Sequence, residues 1–145
     1  MKKQPILVSA CLLGVCCRYD GASKPNPKVI GLRERYILLP ICPEVDGGLP
    51  TPRTPSERVG DKVLMRDGKD VTQNYMSGAE AALEKARAFG CMVAILKARS
   101  PSCGKGEIYD GSFTGNLTLQ DGVTAELLQK NGIQVYTEDE IDKLL

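Results

Sequence analysis

The sequence predicts an α/β fold whose sheet is mainly parallel and flanked by helices. Short apolar, β-prone runs recur along the chain, as PILVSA (5–10), YILLPIC (36–42), CMVAILKA (91–98) and IQVY (133–136). Helix-forming stretches separate them, above all AEAALEKARAF (79–89). Strands alternating with helices imply right-handed crossovers between parallel neighbours. The expected architecture is therefore Rossmann-like, with hairpin and loop insertions, in one domain over residues 1–145.

The elements follow in chain order. PILVSA runs into the Gly14 region and reads as a buried first strand feeding a loop. NPKVIGLRERY (26–36) predicts a short helix with Asn26 as N-cap and Pro27 at the first helical position. YILLPIC is the second strand, and Pro40, which has no N–H to give a ladder, places it at a sheet edge. From Pro43 the proline- and glycine-rich stretch reads as a long ordered loop with a hairpin around VLM, bounded by Gly60-Asp61 and Asp67-Gly68. The clearest helix runs from Asp70 to Gly90, with Thr72 or Asp70 as its cap and Gly90 where a left-handed C-terminal glycine belongs. CMVAILKA is a strand of the kind buried on both faces. A second hairpin is expected in EIYDGSFTGNLTLQDG, a helix over 124–130, the strand IQVY, and a closing helix in TEDEIDKLL.

Composition narrows function. Nineteen basic against eighteen acidic residues give a net charge of +1, so no electrostatic footprint for a nucleic-acid polymer is expected. No run approaches the roughly 20 apolar residues of a membrane span. Gln4, Pro5 and Ser9 interrupt the N-terminal run that otherwise resembles a leader, and a cytoplasmic location is expected. The partner expected on these grounds is a small molecule. The oligomeric state is not legible. Histidine is absent, which excludes Ser-His, Cys-His and His-zinc chemistry within the chain.

Six cysteines in a reducing compartment point to metals, nucleophiles or core packing rather than cross-links. Ligands in parallel sheets collect beyond the carboxyl ends of the strands. Cys11, Cys42 and Cys103 each follow a predicted strand, in SACLLG, CPEVDGG and SPSCGKG, so the topology brings all three to one rim. Cys91 opens its strand and belongs at the opposite edge, in the core. Cys16 and Cys17 are adjacent to each other and are read as spare. No C-x-x-C pair is present, which argues against ordinary structural zinc, while soft thiolates suit iron-sulfur clusters. Arg18, Arg53, Lys97, Arg99 and Lys105 are expected near the rim, as are Tyr19, Tyr109 and Phe113. Glu44, two residues after Cys42, is a candidate general acid/base, and Ser100 in SPSCG a hydrogen-bond donor or proton relay. Ser9 and Ser102 are candidates to bond to sulfur. Three classes stay open from the residues alone: a metal-dependent enzyme, a non-catalytic zinc- or iron-sulfur-binding sensor or interaction module, and a cluster-free thiol enzyme.

Five blocks carry a resemblance: SACLLG with RYDG (9–21), CPEVDGGLPTPRTPSE (42–57), GKDVT (68–72), AILKARSPSCG (94–104) and IYDGSFTG (108–115). They resemble the small bacterial domain-of-unknown-function family that includes thiouracil desulfidase. The resemblance implies a 4Fe-4S cluster held by three cysteines, falling here on Cys11, Cys42 and Cys103, with one iron open. It also implies catalytic roles for Glu44 and Ser100. The implied reaction is a non-redox desulfuration of a thiolated small molecule, C=S to C=O with release of sulfide.

Overall fold

The structure, a computed structural model, describes residues 3–144. Strand β1 (Gln4–Ser9) runs into a 3-10 turn (Ala10–Leu13) closed by Gly14 in the left-handed region, φ 97°. Helix α1 (Pro27–Gly31) starts as expected, with the Asn26 side chain accepting from the N–H groups of Lys28 and Val29, and continues only as a 3-10 turn (Leu32–Glu34). Strand β2 (Tyr36–Ile41) follows, and then a short helix α2 (Pro43–Asp46) that the glycine-rich sequence after it does not announce. Strands β3 (Ser56–Val59) and β4 (Lys62–Met65) form the first hairpin, in antiparallel register about Gly60-Asp61.

Helix α3 (Thr72–Phe89) is the longest element and ends at Gly90, φ 70°. Its N-cap position is Val71, not Thr72 or Asp70; the Asp70 carboxylate instead accepts from the Thr72 N–H and hydroxyl just inside the helix. Strand β5 (Val93–Leu96), a small hairpin of β6 (Ile108–Tyr109) and β7 (Leu117–Thr118), helix α4 (Val123–Lys130) and strand β8 (Gln134–Thr137) complete the order. The closing segment is 3-10 rather than α-helical (Glu138–Lys143) and is started by a capping box between Thr137 and Glu140.

The main sheet has the order β2-β1-β5-β8 and is parallel throughout. Pro40 therefore sits on an edge strand, as its missing N–H requires. One face is covered by α3 and α4, where Leu7, Leu96, Ala82, Ala86, Leu128 and Val135 meet. On the other, Ile6, Val8, Ile95, Val29, Leu32 and Ile141 pack together. Cys91 is in the first of these clusters, as expected for a core cysteine at the strand's starting end. A third, smaller cluster of Leu49, Val63, Met65, Val71 and Tyr75 lies under the β3–β4 hairpin. Among the described residues no helix is long and apolar enough to cross a membrane.

Candidate active site

The ends of β1, β2 and β5 open onto one cavity of about 190 Å³, and Cys11, Cys42 and Cys103 all line it. Each arrives there for a local reason. Cys11 rides on the turn after β1, whose carbonyls are tied down from the next loop: the Lys24 N–H donates to Cys11 O at 2.9 Å and the Asn26 N–H to Leu12 O at 2.9 Å. Cys42 occupies the N-cap position of α2, between the end of β2 and Pro43. Cys103 follows β5 after Arg99, which adopts a left-handed φ of 67° and turns the chain sharply into SPSCG. Helix α4 then clamps that loop, with Gly122 N–H donating to Gly104 O (2.6 Å), Val123 N–H to Pro101 O (2.9 Å) and Thr124 N–H to Ser102 O (2.8 Å). Gly122 is needed for this approach, because a Cβ there would collide with the Ser102 backbone.

All six thiols are free. Burial pushes the Cys103 thiol up to about 12, outweighing its hydrogen bonds with Ser102 and Ser9. A hydrogen bond with Cys17, then burial, drive Cys42 far above the usual thiol range. Without a cation these two groups are thus neutral thiols; a coordinated metal would reverse that by taking the thiolate. Among the described residues no group of three or more Cys, Asp or Glu side chains closes tightly enough to hold a single metal ion. The three thiols border a shared space instead.

Glu44, on α2, is the acidic member of the cavity wall. Its Oε1 accepts the Tyr75 hydroxyl at 2.5 Å and lies 3.5 Å from Arg53 Nε; its Oε2 accepts the Ser102 hydroxyl at 3.4 Å. Arg53 is a buried guanidinium with a 2% exposed side chain, donating to Cys17 O (2.9 Å), Pro50 O (3.1 Å) and Thr51 Oγ1 (3.0 Å). Its Nε meets Glu44 within ion-pair distance but makes no hydrogen bond. Burial, then the Glu44 charge, push the Tyr75 phenol far above its usual range, so it is a committed donor.

Ser100 also lines the cavity, and its Oγ accepts the backbone N–H groups of Ser102 and Cys103, both at 3.2 Å. With two donors already facing that oxygen, its own hydrogen is free to go to Ser102 Oγ, 3.0 Å away. Ser102 Oγ in turn lies 3.5 Å from Cys103 Sγ. Ser100 thus shapes the Cys103 turn and heads a hydroxyl chain toward Glu44. The residue that touches Glu44 is Ser102.

Several expectations need amendment. Cys17, read as spare, is buried and lines the cavity, and its carbonyl accepts the Cys42 thiol at 3.7 Å, while Cys16 alone of the pair is exposed. Arg18, Arg53, Lys97 and Arg99 line the cavity as expected, and so do Tyr19, Tyr109, Ser9 and Ser102. Lys105 does not; it is drawn away to the Glu140 carboxylate at 3.3 Å and the Tyr136 ring. Phe113 is held by Arg66 instead. Tyr75 escapes a reading of the sequence because its helix looks uniformly amphipathic; the signal available was a large aromatic aligned with Gly78, Ala79 and Ala82 on the buried face.

The family model described as 2-thiouracil desulfurase matches residues 6–140. The chain is 40% identical to the uncharacterized protein YbbK of Bacillus subtilis (strain 168), over 97% of its own length and 99% of that protein. A solved structure of the 4Fe-4S-dependent thiouracil desulfidase TudS (DUF523Vcz) is similar with a TM-score of 0.93 at 48% identity, covering 98% of this chain and 95% of that one. Its fold is the same mainly parallel α/β sheet flanked by helices. A match that spans nearly every element, including all three loops of the cysteine rim, places this chain in the 2-thiouracil desulfurase family.

Proposed function

We propose that the chain is an iron-sulfur-dependent desulfidase that converts the C=S of a small thiocarbonyl compound such as thiouracil into C=O and releases sulfide. One observation carries this reading. Three free thiols from three strand ends share a single cavity with a carboxylate that is itself held by hydrogen bonds. The donor set fits a cluster better than an ion: the thiols do not close on one point, and a 4Fe-4S cluster distributes its cysteine ligands over different irons. Cys11, Cys42 and Cys103 would hold it, leaving one iron without a protein ligand. When bound, the cluster supplies Lewis acidity that polarises the thiocarbonyl.

The chain's own groups do the rest. Glu44 takes a proton from the attacking water at Oε2, the oxygen not occupied by Tyr75, and so supplies the general base. That proton leaves on the departing sulfur as hydrogen sulfide, and the Ser102 hydroxyl, linked to that of Ser100 at the Cys103 turn, holds a hydrogen bond to Oε2 meanwhile. Tyr19 and Tyr109 stand at the rim of the cavity as faces for a planar ring. Atoms balance as C=S plus water giving C=O plus hydrogen sulfide, with no electron acceptor or donor. The substrate is a small thiolated molecule rather than a polymer or a membrane component, in keeping with a near-neutral chain and a cavity of about 190 Å³.

The test is turnover by anaerobically reconstituted protein. It is expected to convert 2-thiouracil to uracil with one sulfide released per uracil, and Glu44→Gln is expected to keep the cluster while losing about 10²- to 10⁴-fold in kcat. A fully loaded protein inert toward thiouracils and toward other small thiocarbonyl compounds would leave only the binding-module reading standing.

A further inference from the structure

The reading above assigns Glu44 but leaves open what makes its carboxylate face one way. Three groups contact it, and they are not equivalent. Arg53 Nε, at 3.5 Å, is outside hydrogen-bond geometry, and Ser102 reaches Oε2 only at 3.4 Å, the long end of the range. Tyr75 makes the one short contact, 2.5 Å to Oε1, from a side chain with no solvent exposure.

Tyr75 sits among Leu49, Val63, Met65 and Val71, an apolar nest that a phenylalanine would fill equally well. Packing therefore gives no reason for the hydroxyl. Burial does give it a reason to be paired, since an orphaned buried hydroxyl costs about 1–3 kcal/mol. The two backbones that carry the pair are also locked together. α2 and α3 touch at Gly78 against the Pro43 carbonyl and at Gly47 against the Asn74 carbonyl, where a Cβ at either glycine would collide. The Asn74 amide adds a bond to Gly47 O at 2.9 Å. Glu44 and Tyr75 are thus held in register by main chain, without depending on the loops of the cavity.

We infer that Tyr75 is a positioning residue for the desulfuration: its hydroxyl occupies Glu44 Oε1, fixes the carboxylate plane, and leaves Oε2 on the Ser102 side as the proton-accepting oxygen. The inference rests on Glu44 being the general base. Tyr75 touches neither substrate nor cluster and acts only through Glu44. Misplacing a reacting group by about 1 Å can cost 10²-fold, so loss of this one bond is expected to appear in kcat.

The test uses the reconstituted holoenzyme. Tyr75→Phe is expected to retain its iron and visible absorbance and to keep KM for 2-thiouracil within about twofold, while kcat falls at least about tenfold. In the double variant with Glu44→Gln, the tyrosine change is expected to cost nothing further, because both remove the same function. A second readout does not depend on activity or on the Phe variant folding: a slowly exchanging Tyr75 hydroxyl proton in the NMR spectrum of the wild type, displaced in Glu44→Gln. A kcat within twofold of wild type in Tyr75→Phe, or a loss that adds in full to that of Glu44→Gln, or a hydroxyl signal indifferent to Glu44→Gln, would overturn the inference. If Glu44→Gln itself leaves kcat unchanged, the assignment of the base is what fails, and the role of Tyr75 goes with it.

Discussion

At the scale of single residues, the cysteines divide by position rather than by burial. Cys91 and Cys103 are both buried in the core beneath α3 and α4, yet only Cys103 also lines the cavity. That division was legible from which end of a strand each cysteine flanks. Cys17 was not, because nothing in VCCRYDG distinguishes an inward thiol from an outward one; the turn at Gly14 and the Arg53 bond to its carbonyl decide it. The ligand assignment predicts that Cys11→Ser, Cys42→Ser and Cys103→Ser each lose most of the iron retained by anaerobic wild-type protein. Cys17→Ala, by contrast, should keep it, and iron quantification separates the two classes. A pH consequence follows from the cluster-free protein. A hydrogen bond with Cys11, then burial, push Cys17 up to about 11, and burial pushes Cys103 up to about 12. Groups whose folded pKa is raised stabilise the fold below their unfolded pKa of about 8.5 and cease to do so as pH rises. Cluster-free protein should therefore lose Tm progressively above about pH 9, and at pH 8 iodoacetamide should modify exposed Cys16 before Cys17 or Cys103, as read by peptide mass spectrometry.

At the scale of elements, the long segment between β2 and α3 turns out to be site architecture. The hairpin in it was legible from Gly60-Asp61, but α2 was not, since four residues that begin at a proline and run into two glycines carry no periodicity. What makes α2 rigid is its seat on α3. Gly78 in the middle of a long helix is a poor helix former, costing about 0.8–1 kcal/mol relative to alanine, and is explained only by the Pro43 carbonyl lying against it. Gly78→Ala should therefore lower Tm despite its better propensity, and should reduce kcat by moving Glu44; thermal denaturation and steady-state kinetics check both. The closing segment teaches a similar lesson. TEDEIDKLL has acidic residues suited to a helix start, and the capping box together with the bonds from Lys105 and Lys143 fastens Glu140, but the segment winds as 3-10 rather than α-helix. Burial works to raise the Glu140 carboxyl, yet the bonds from Lys143, the Thr137 N–H and Lys105 prevail and hold it down to about 2. That stabilisation is present above the unfolded pKa near 4.3 and is lost as pH falls toward 2. Glu140→Gln should accordingly lower Tm at pH 7 and have little effect at pH 2.

For the molecule as a whole, the sheet order β2-β1-β5-β8 accounts for the site. The three central and edge strands that are adjacent in space, β2, β1 and β5, each deliver one cysteine from the same end. That much was legible, because buried parallel strands announce themselves as apolar runs and crossovers have one hand. The neighbours of Glu44 were harder to foresee, since they come from residues 31 and 58 positions away. Such partners are fixed by helix packing and by the clamp of α4 on the SPSCG loop, neither of which leaves a local pattern. The account as a whole stands on the three thiols being cluster ligands. The measurement that bears on this most directly is the iron and acid-labile sulfide content of wild-type protein purified without oxygen. The account predicts a brown protein with roughly four irons and four sulfides per chain; a colourless protein holding zinc, or no metal at all, would contradict it.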